Sequence, residues 1–254
     1  MSDIKTVIIT GAGSGIGKAA AIRYANEGYN VVLNGRTKSK LDDVAKEIGK
    51  PGHTLVQSGD VSSQDDVEDV IENAIKEFGR IDVLVNNAGI AVSGNISDVS
   101  LEDWDKQMSI NAGGMFLMIK HALPHLEKTK GSIVNTSSVS GLGGDWGMFA
   151  YNATKKGAVS NLTRALALDL GSKNVRVNAV APSATRTDMA SGILDDDDLL
   201  KKFKDRIPMQ RPAEPEEIAD VIYFLSSHDA RFVNGVVLPV DGGLSASNGQ
   251  PQLG

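Results

Sequence analysis

Tyr151 and Lys155 stand four residues apart, and Ser138 precedes the pair by thirteen residues. On an α-helix, positions i and i+4 share a face, so a lysine ammonium would lie beside a phenol. A free phenol has a pKa of about 10, and bringing it near neutrality takes roughly 4 kcal/mol of differential stabilisation. A unit positive charge about 4 Å away supplies a similar amount at an effective dielectric of about 20. The pair therefore has the makings of a proton donor and acceptor at ordinary pH. A serine hydroxyl nearby can orient a carbonyl for reduction. The same spacing also occurs as a plain exposed pair on helices, so the rest of the chain has to supply the context.

A second constellation lies near the N-terminus, in the run Thr10-Gly11-Ala12-Gly13-Ser14-Gly15-Ile16-Gly17. Glycines let a backbone turn tightly and approach a bound group closely, and a helix N-terminus offers unpaired N–H groups to a pyrophosphate. The spacing of Gly11, Gly15 and Gly17 differs from the G-x-G-x-x-G fingerprint, and the Lys-Ser/Thr ending of a triphosphate loop is missing. A glycine-rich stretch can also be no more than a tight turn. Its position between a first strand and a first helix favours a dinucleotide loop. The next apolar run ends Leu33-Asn34-Gly35-Arg36, with Lys38 and Lys40 nearby. An NAD site places a carboxylate near this strand end for the ribose hydroxyls. Here Arg36 stands instead, and an arginine suits a 2′-phosphate. NADP(H) is therefore the expected cofactor, with NAD possible if Arg36 only covers the adenine.

These residues need a scaffold, and the chain reads as one. Short β-branched runs at Thr6–Thr10, Asn30–Asn34, Thr54–Gln57, Val83–Asn86, Ser132–Thr136, Val175–Val180 and Val236–Val240 alternate with longer amphipathic stretches. Continuous apolar runs suit parallel strands buried on both faces. Helices are expected over about 15–27, 38–48, 64–78, 101–127, 152–170 and 215–226. Pro215 followed by Glu216 and Glu217 is a good helix start. The pattern predicts an α/β fold, a Rossmann-like doubly wound parallel sheet of about seven strands. Residues 1–254 read as one domain. A lid is expected at about 183–208, and a tail at 245–254 is either frayed or docked on another subunit. The Asp195–Asp198 run lies in that lid. Consecutive carboxylates at a helix start point in different directions, which favours a solvated surface over a cation site.

Composition narrows the function. With 254 residues, 41% hydrophobic and 23% charged, the chain can build a full core. The absence of cysteine excludes disulfides, cysteine-ligated zinc and thiol catalysis, and four scattered histidines make a metal site an unfavoured expectation. A net charge of −6 argues against nucleic acid or anionic membrane as the main partner. Without a signal-peptide pattern or a spanning segment, the expected location is the cytoplasm.

Taken in order, Thr10–Gly17, Asp60-Val61, Asn86-Asn87-Ala88-Gly89, Asn111, Ser138, Tyr151-x-x-x-Lys155 and Val240-Asp241-Gly242-Gly243 resemble the short-chain dehydrogenase/reductase family, over about Thr6 to Leu244. The resemblance implies a Ser-Tyr-Lys-Asn catalytic set of Ser138, Tyr151, Lys155 and Asn111. In it Tyr151 exchanges the proton, Ser138 orients the carbonyl, and Lys155 both lowers the phenol pKa and binds the nicotinamide ribose. The main chain of Asn111 would help hold a water leading to the lysine. It implies cofactor contacts at Gly11, Ser14, Gly15, Ile16, Gly17 and Arg36, at Asp60 and Val61 around the adenine, and at Asn87, Ala88 and Gly89. Pro182, Thr185 and Thr187 complete this set beyond the sixth strand, where the family's usual Pro-Gly reads Pro182-Ser183. The implied reaction is hydride transfer between a nicotinamide and a carbonyl carbon without a metal. A dimer, or more often a homotetramer, is implied too.

The substrate is expected to meet Ser140, Trp146 and Met189, and Gln250 if the tail reaches a neighbouring subunit's pocket. Two readings of Trp146 stand side by side: it narrows the pocket for small ketones and diols, or it packs structurally under the lid. The stretch Gly141–Gly147 and the tail resemble the bacterial butanediol dehydrogenase/acetoin reductase branch, which implies small carbonyls, secondary alcohols and vicinal diols. The alternatives are a 3-oxoacyl-thioester reductase of fatty-acid synthesis, which shares the motifs, and a non-catalytic cofactor-binding sensor.

Overall fold

The computed structural model describes residues 4–247, apart from the side chains of Lys155, Lys156 and Ile193. Seven parallel strands form one sheet in the order β3-β2-β1-β4-β5-β6-β7. They are β1 (Thr6–Thr10), β2 (Asn30–Gly35), β3 (Thr54–Ser58), β4 (Val83–Asn86), β5 (Ser132–Thr136), β6 (Arg176–Pro182) and β7 (Val237–Val240). Every residue of β1, β4 and β5 is buried, as expected of strands covered on both faces. Full burial of each large apolar side chain contributes about 1.5–3 kcal/mol, so the strands are pinned by their composition.

Helices cover both faces. One core joins Val7, Ile9 and Leu33 to α1 (Gly15–Asn26), α2 (Lys38–Ile48) and α10 (Pro215–Ser226). The other joins Ile8, Val32 and Leu84 to α3 (Gln64–Phe78), α5 (Gly114–Thr129) and α7 (Val159–Gly171). The alternation along β1 follows the two-residue period of a strand, which sends Val7 and Ile9 to one side and Ile8 to the other. The chain ends its helices where the sequence says it should. Ser63 caps α3 by accepting from the Asp66 N–H, and Gly79 follows in the left-handed region at φ 76°.

The sheet order reverses at β1, with β2 on one side and β4 on the other. Ligands of doubly wound sheets bind at that reversal, beyond the C-terminal ends of the strands. The expected strands therefore match the observed ones to within two residues at each end. The helices differ in one respect. The stretch expected as one helix over 101–127 is α4 (Leu101–Met108), a π-helical turn over Ser109–Gly113, and then α5. The stretch expected over 152–170 opens with a short helix, α6 (Phe149–Tyr151), and a π-helix over Asn152–Ala158 before α7. Such wider turns form where tertiary contacts demand an extra residue, frequently at functional sites. These two carry Asn111 and Lys155. The lid segment holds two further helices, α8 (Ser191–Leu194) and α9 (Asp197–Arg206). Part of the acidic run serves α9: Asp196 accepts from the N–H groups of Asp198 and Leu199 at 3.0 Å each.

Candidate active site

The glycine loop is built so that three chain segments nearly touch. A Cβ on Gly17 would lie 2.2 Å from the Gly11 carbonyl oxygen, and one on Gly15 would lie 2.8 Å from the Thr187 methyl. Gly11 and Gly15 also adopt φ +66° and +51°, a region that side chains rarely enter. Thr10, buried at the end of β1, accepts from the N–H groups of Asn87 (2.9 Å) and Ala88 (3.0 Å) through its hydroxyl. The Asn87 amide donates back to the Thr10 carbonyl at 3.2 Å. The loop after β4 thereby braces the loop after β1, and Gly89 extends that turn. Beside this cradle lies a groove of about 420 Å³ lined by Gly15, Lys18, Arg186, Thr187 and Asp188. Only backbone and small side chains fill the cradle at the N-terminus of α1, which fits a dinucleotide pyrophosphate. Ser14 and Ile16 lie within the same loop, and Ser14 is the residue from which α1 starts.

The adenosine side is laid out as the sequence suggests. Arg36 is exposed at the end of β2, and Asn34 one turn of the pleat before it is buried and holds the β3 loop through Gln57 and Gly59 carbonyls. Burial pushes the Asp60 carboxyl up, but hydrogen bonds from the Ser62 hydroxyl and N–H, with the Arg36 charge, outweigh it and keep it ionised below the usual range. Val61 fits under Gly114, where a Cβ would come within 2.5 Å of its methyl. On the far side of the reversal, Thr185 is buried and its hydroxyl donates to the Ser183 carbonyl at 3.0 Å. Pro182 ends β6, and Ser183 follows it.

The reacting side chains converge from different elements. Ser138 ends the loop after β5, and its hydroxyl accepts from the Ser140 N–H at 3.3 Å. That bond occupies a lone pair, and the Ser138 proton faces the Ser140 oxygen only at 3.4 Å, a long contact that a carbonyl oxygen can replace. Asn111 is fully buried, and its amide is locked in both directions to Ile90, accepting from its N–H at 2.8 Å and donating to its carbonyl at 2.9 Å. This side chain is therefore structural, and the π-helical turn is what its backbone offers to the site. Tyr151 is partly buried. Burial pushes its phenol up, and the Asp145 charge pushes it the same way. This is opposite to the direction expected from the Tyr-Lys pair. The Lys155 side chain, which is the expected counterweight, lies outside the described atoms.

Several supporting residues escape a reading of the sequence. The buried Asn86 amide donates to Asn135 (3.0 Å), the Asn135 amide donates to Thr163 (3.0 Å), and the Thr163 hydroxyl donates to the Val159 carbonyl (2.9 Å). Ser137, next to Ser138, meets Ser160 at 2.9 Å. These polar links tie β4 and β5 to α7, the continuation of the Tyr151 segment. The signal that could have revealed them is an asparagine inside an otherwise apolar strand. Gln107, fully buried, accepts from the Val92 N–H at 2.6 Å and holds the loop after β4. That loop pairs with the stretch before Tyr151, where the Gly94 N–H donates to the Gly147 carbonyl at 2.8 Å.

Trp146 corrects the expectation. It is 101% exposed, so its ring does not pack under the lid. In the loop Gly141–Gly147 both Asp145 and Trp146 are exposed, and the Asp145 carboxylate turns to the Ser140 hydroxyl. Met189 is 53% exposed in the lid, whereas Ser140 is buried beside Ser138. Gln250 lies outside the described residues. No helix among the described residues is long and apolar enough to cross a membrane.

A parallel sheet with this order, a glycine cradle at the reversal and a serine and tyrosine beside it define a dinucleotide-dependent oxidoreductase. The family model described as enoyl-(acyl carrier protein) reductase matches residues 11–245. The chain belongs to the short-chain dehydrogenase/reductase family. It is 49% identical to a meso-2,3-butanediol dehydrogenase of Serratia marcescens, over 99% of this chain and 98% of the relative. It is 40% identical to a 3-oxoacyl-[acyl-carrier-protein] reductase of Thermotoga maritima, over 94% of this chain and 97% of that one. Among solved structures, a 3-ketoacyl-(acyl-carrier-protein) reductase from Brucella melitensis complexed with NADH superposes with a TM-score of 0.89 at 37% identity, covering 95% of this chain and 98% of the other.

Proposed function

We propose that this enzyme interconverts small ketones and secondary alcohols, with vicinal diols and hydroxyketones as its substrate class, and that it prefers NADP(H). The observation that carries the substrate reading is the short, polar wall beside Ser138, made of Ser140 and Asp145, in a chain whose near-full-length similarity to a butanediol dehydrogenase is 49%. A 3-oxoacyl-thioester reductase remains the second reading, favoured by the 40% identity to an enzyme of that kind.

When bound, the nicotinamide supplies the hydride that reaches the carbonyl carbon, or receives it in the reverse direction. Gly11, Gly15 and Gly17 admit its pyrophosphate, and Asp60, Val61, Asn87 and Ala88 line the adenosine half. Ser138 donates a hydrogen bond to the carbonyl oxygen. As negative charge develops there, Tyr151 donates its phenolic proton to the same oxygen, which becomes the alcohol hydroxyl. Lys155 stabilises the resulting phenolate, opposing the burial and the Asp145 charge that raise the phenol. Asn111 holds the backbone turn through which the proton is restored from solvent.

The substrate reading is tested by following NADPH oxidation with diacetyl or acetoin beside an acetoacetyl thioester. Fast turnover of the small ketones with little thioester activity supports it; the reverse establishes the thioester reading. The cofactor reading rests on Arg36, exposed where an NAD site carries a carboxylate. Arg36→Ala is expected to lower kcat/KM for NADPH by about tenfold or more and to leave NADH nearly unchanged. Equal losses with both cofactors would remove the phosphate from the argument.

A further inference from the structure

Asp145 is a charged residue beside the reacting groups to which the mechanism above gives no bond with the substrate. Its Oδ2 accepts a hydrogen bond from the Ser140 hydroxyl, and the Ser140 N–H donates to the Ser138 hydroxyl at 3.3 Å. The Ser138 and Ser140 hydroxyl oxygens are themselves 3.4 Å apart. The charge of the same carboxylate acts on the Tyr151 phenol. Asp145 is therefore close to both groups that hold the reacting oxygen. It is placed there by its loop: the Asn152 amide donates to the Asp145 carbonyl at 3.4 Å, and the Gly94–Gly147 bond closes the loop's far end. Among the described residues, Oδ1 accepts no hydrogen bond.

We infer that Asp145, with Ser140, forms a subsite for a hydroxyl on the carbon next to the reacting one, and so selects hydroxyketones and diols over diketones. This rests on the small-ketone reading and deepens it. The chemistry is one of sign. An ionised carboxylate only accepts hydrogen bonds. A neighbouring hydroxyl can donate to Oδ1, whereas a neighbouring carbonyl oxygen has no proton to give and meets like partial charge. Ser140, whose own proton is committed to Oδ2, presents lone pairs to the same place and reinforces the preference for a donor. The single substrate atom that distinguishes acetoin from diacetyl thus meets an acceptor-only wall.

The test measures kcat/KM for reduction of acetoin and of diacetyl by the wild type, Asp145→Ala and Asp145→Asn, with dinucleotide binding by fluorescence titration as the check on folding. Asp145→Ala is expected to lower the ratio of the acetoin value to the diacetyl value about tenfold, whatever common change follows from the Tyr151 phenol. Asp145→Asn, whose amide can donate, is expected to raise diacetyl while acetoin falls. A common loss on both substrates would assign Asp145 a structural role in its loop and overturn the inference, as would no change on either. If the wild type reduces neither ketone but does reduce an acetoacetyl thioester, it is the small-ketone reading that fails. If the wild type reduces both ketones and the variants keep its ratio, that reading stands and only the subsite falls.

Discussion

Replacing Tyr151 with Phe is expected to lower kcat by about 10³-fold while dinucleotide affinity changes by less than about threefold. The substitution deletes one oxygen and keeps a ring that fills the same partly buried position, so the fold and the glycine cradle are left as they are. What is lost is the proton that must reach the new alkoxide as hydride arrives. Ser138 can still donate a hydrogen bond to that oxygen, and this accounts for residual turnover. The two quantities are read separately, turnover by absorbance of the reduced nicotinamide and affinity by its fluorescence on binding. A variant that keeps wild-type kcat would take the proton-transfer role away from Tyr151. A wild-type protein that binds dinucleotide and turns over no carbonyl would instead be a sensor.

The second large effect is expected from Gly17→Ala. A Cβ here would stand 2.2 Å from the Gly11 carbonyl oxygen and 2.7 Å from the Asn87 amide nitrogen. Both neighbours are held in place, the first by the turn and the second by its bonds to Thr10. The backbone must move, and overpacking of this kind costs about 1–3 kcal/mol. For a chain of this size, that lowers Tm by roughly 3–10 °C. The larger consequence is functional, because the N–H groups of α1 move with the loop. Dinucleotide affinity is expected to fall on the order of a hundredfold, since displacements of about 1 Å have effects of that size. Calorimetry and fluorescence titration report the two parts. Unchanged affinity would mean that the pyrophosphate lies elsewhere.

The strands were readable because fully buried parallel strands are continuous apolar runs with few alternatives. The glycine loop was readable for a related reason: a close approach of backbones excludes side chains, and glycine records that exclusion directly. What could not be read depends on which groups meet across the fold. Nothing in Ser109–Gly113 or Asn152–Ala158 announces a π-helix, because the local chain is equally good α-helix and the wider turn is imposed by its neighbours. The asparagine and threonine links among Asn86, Asn135 and Thr163 were invisible for the same reason, since each is one polar residue whose partner is distant in sequence. Trp146 shows the limit most clearly. In a loop of glycines the direction of a side chain is set by backbone torsions that composition does not encode, and here the loop leaves the ring in solvent and brings the carboxylate of its exposed neighbour Asp145 to Ser140.

The two cores on opposite sides of the sheet have a consequence for how such an enzyme can diversify. The glycine loop and Arg36 lead into α1 and α2, which pack on one side, whereas the segments bearing Asn111 and Tyr151 lead into α5 and α7, which pack on the other. The sheet separates them as a bulkhead separates compartments. Substitutions that retune the choice of dinucleotide are absorbed by one compartment, and those that retune the reacting group are absorbed by the other. Their stability costs should add with little epistasis, so cofactor and substrate preference can drift along independent evolutionary paths within one lineage.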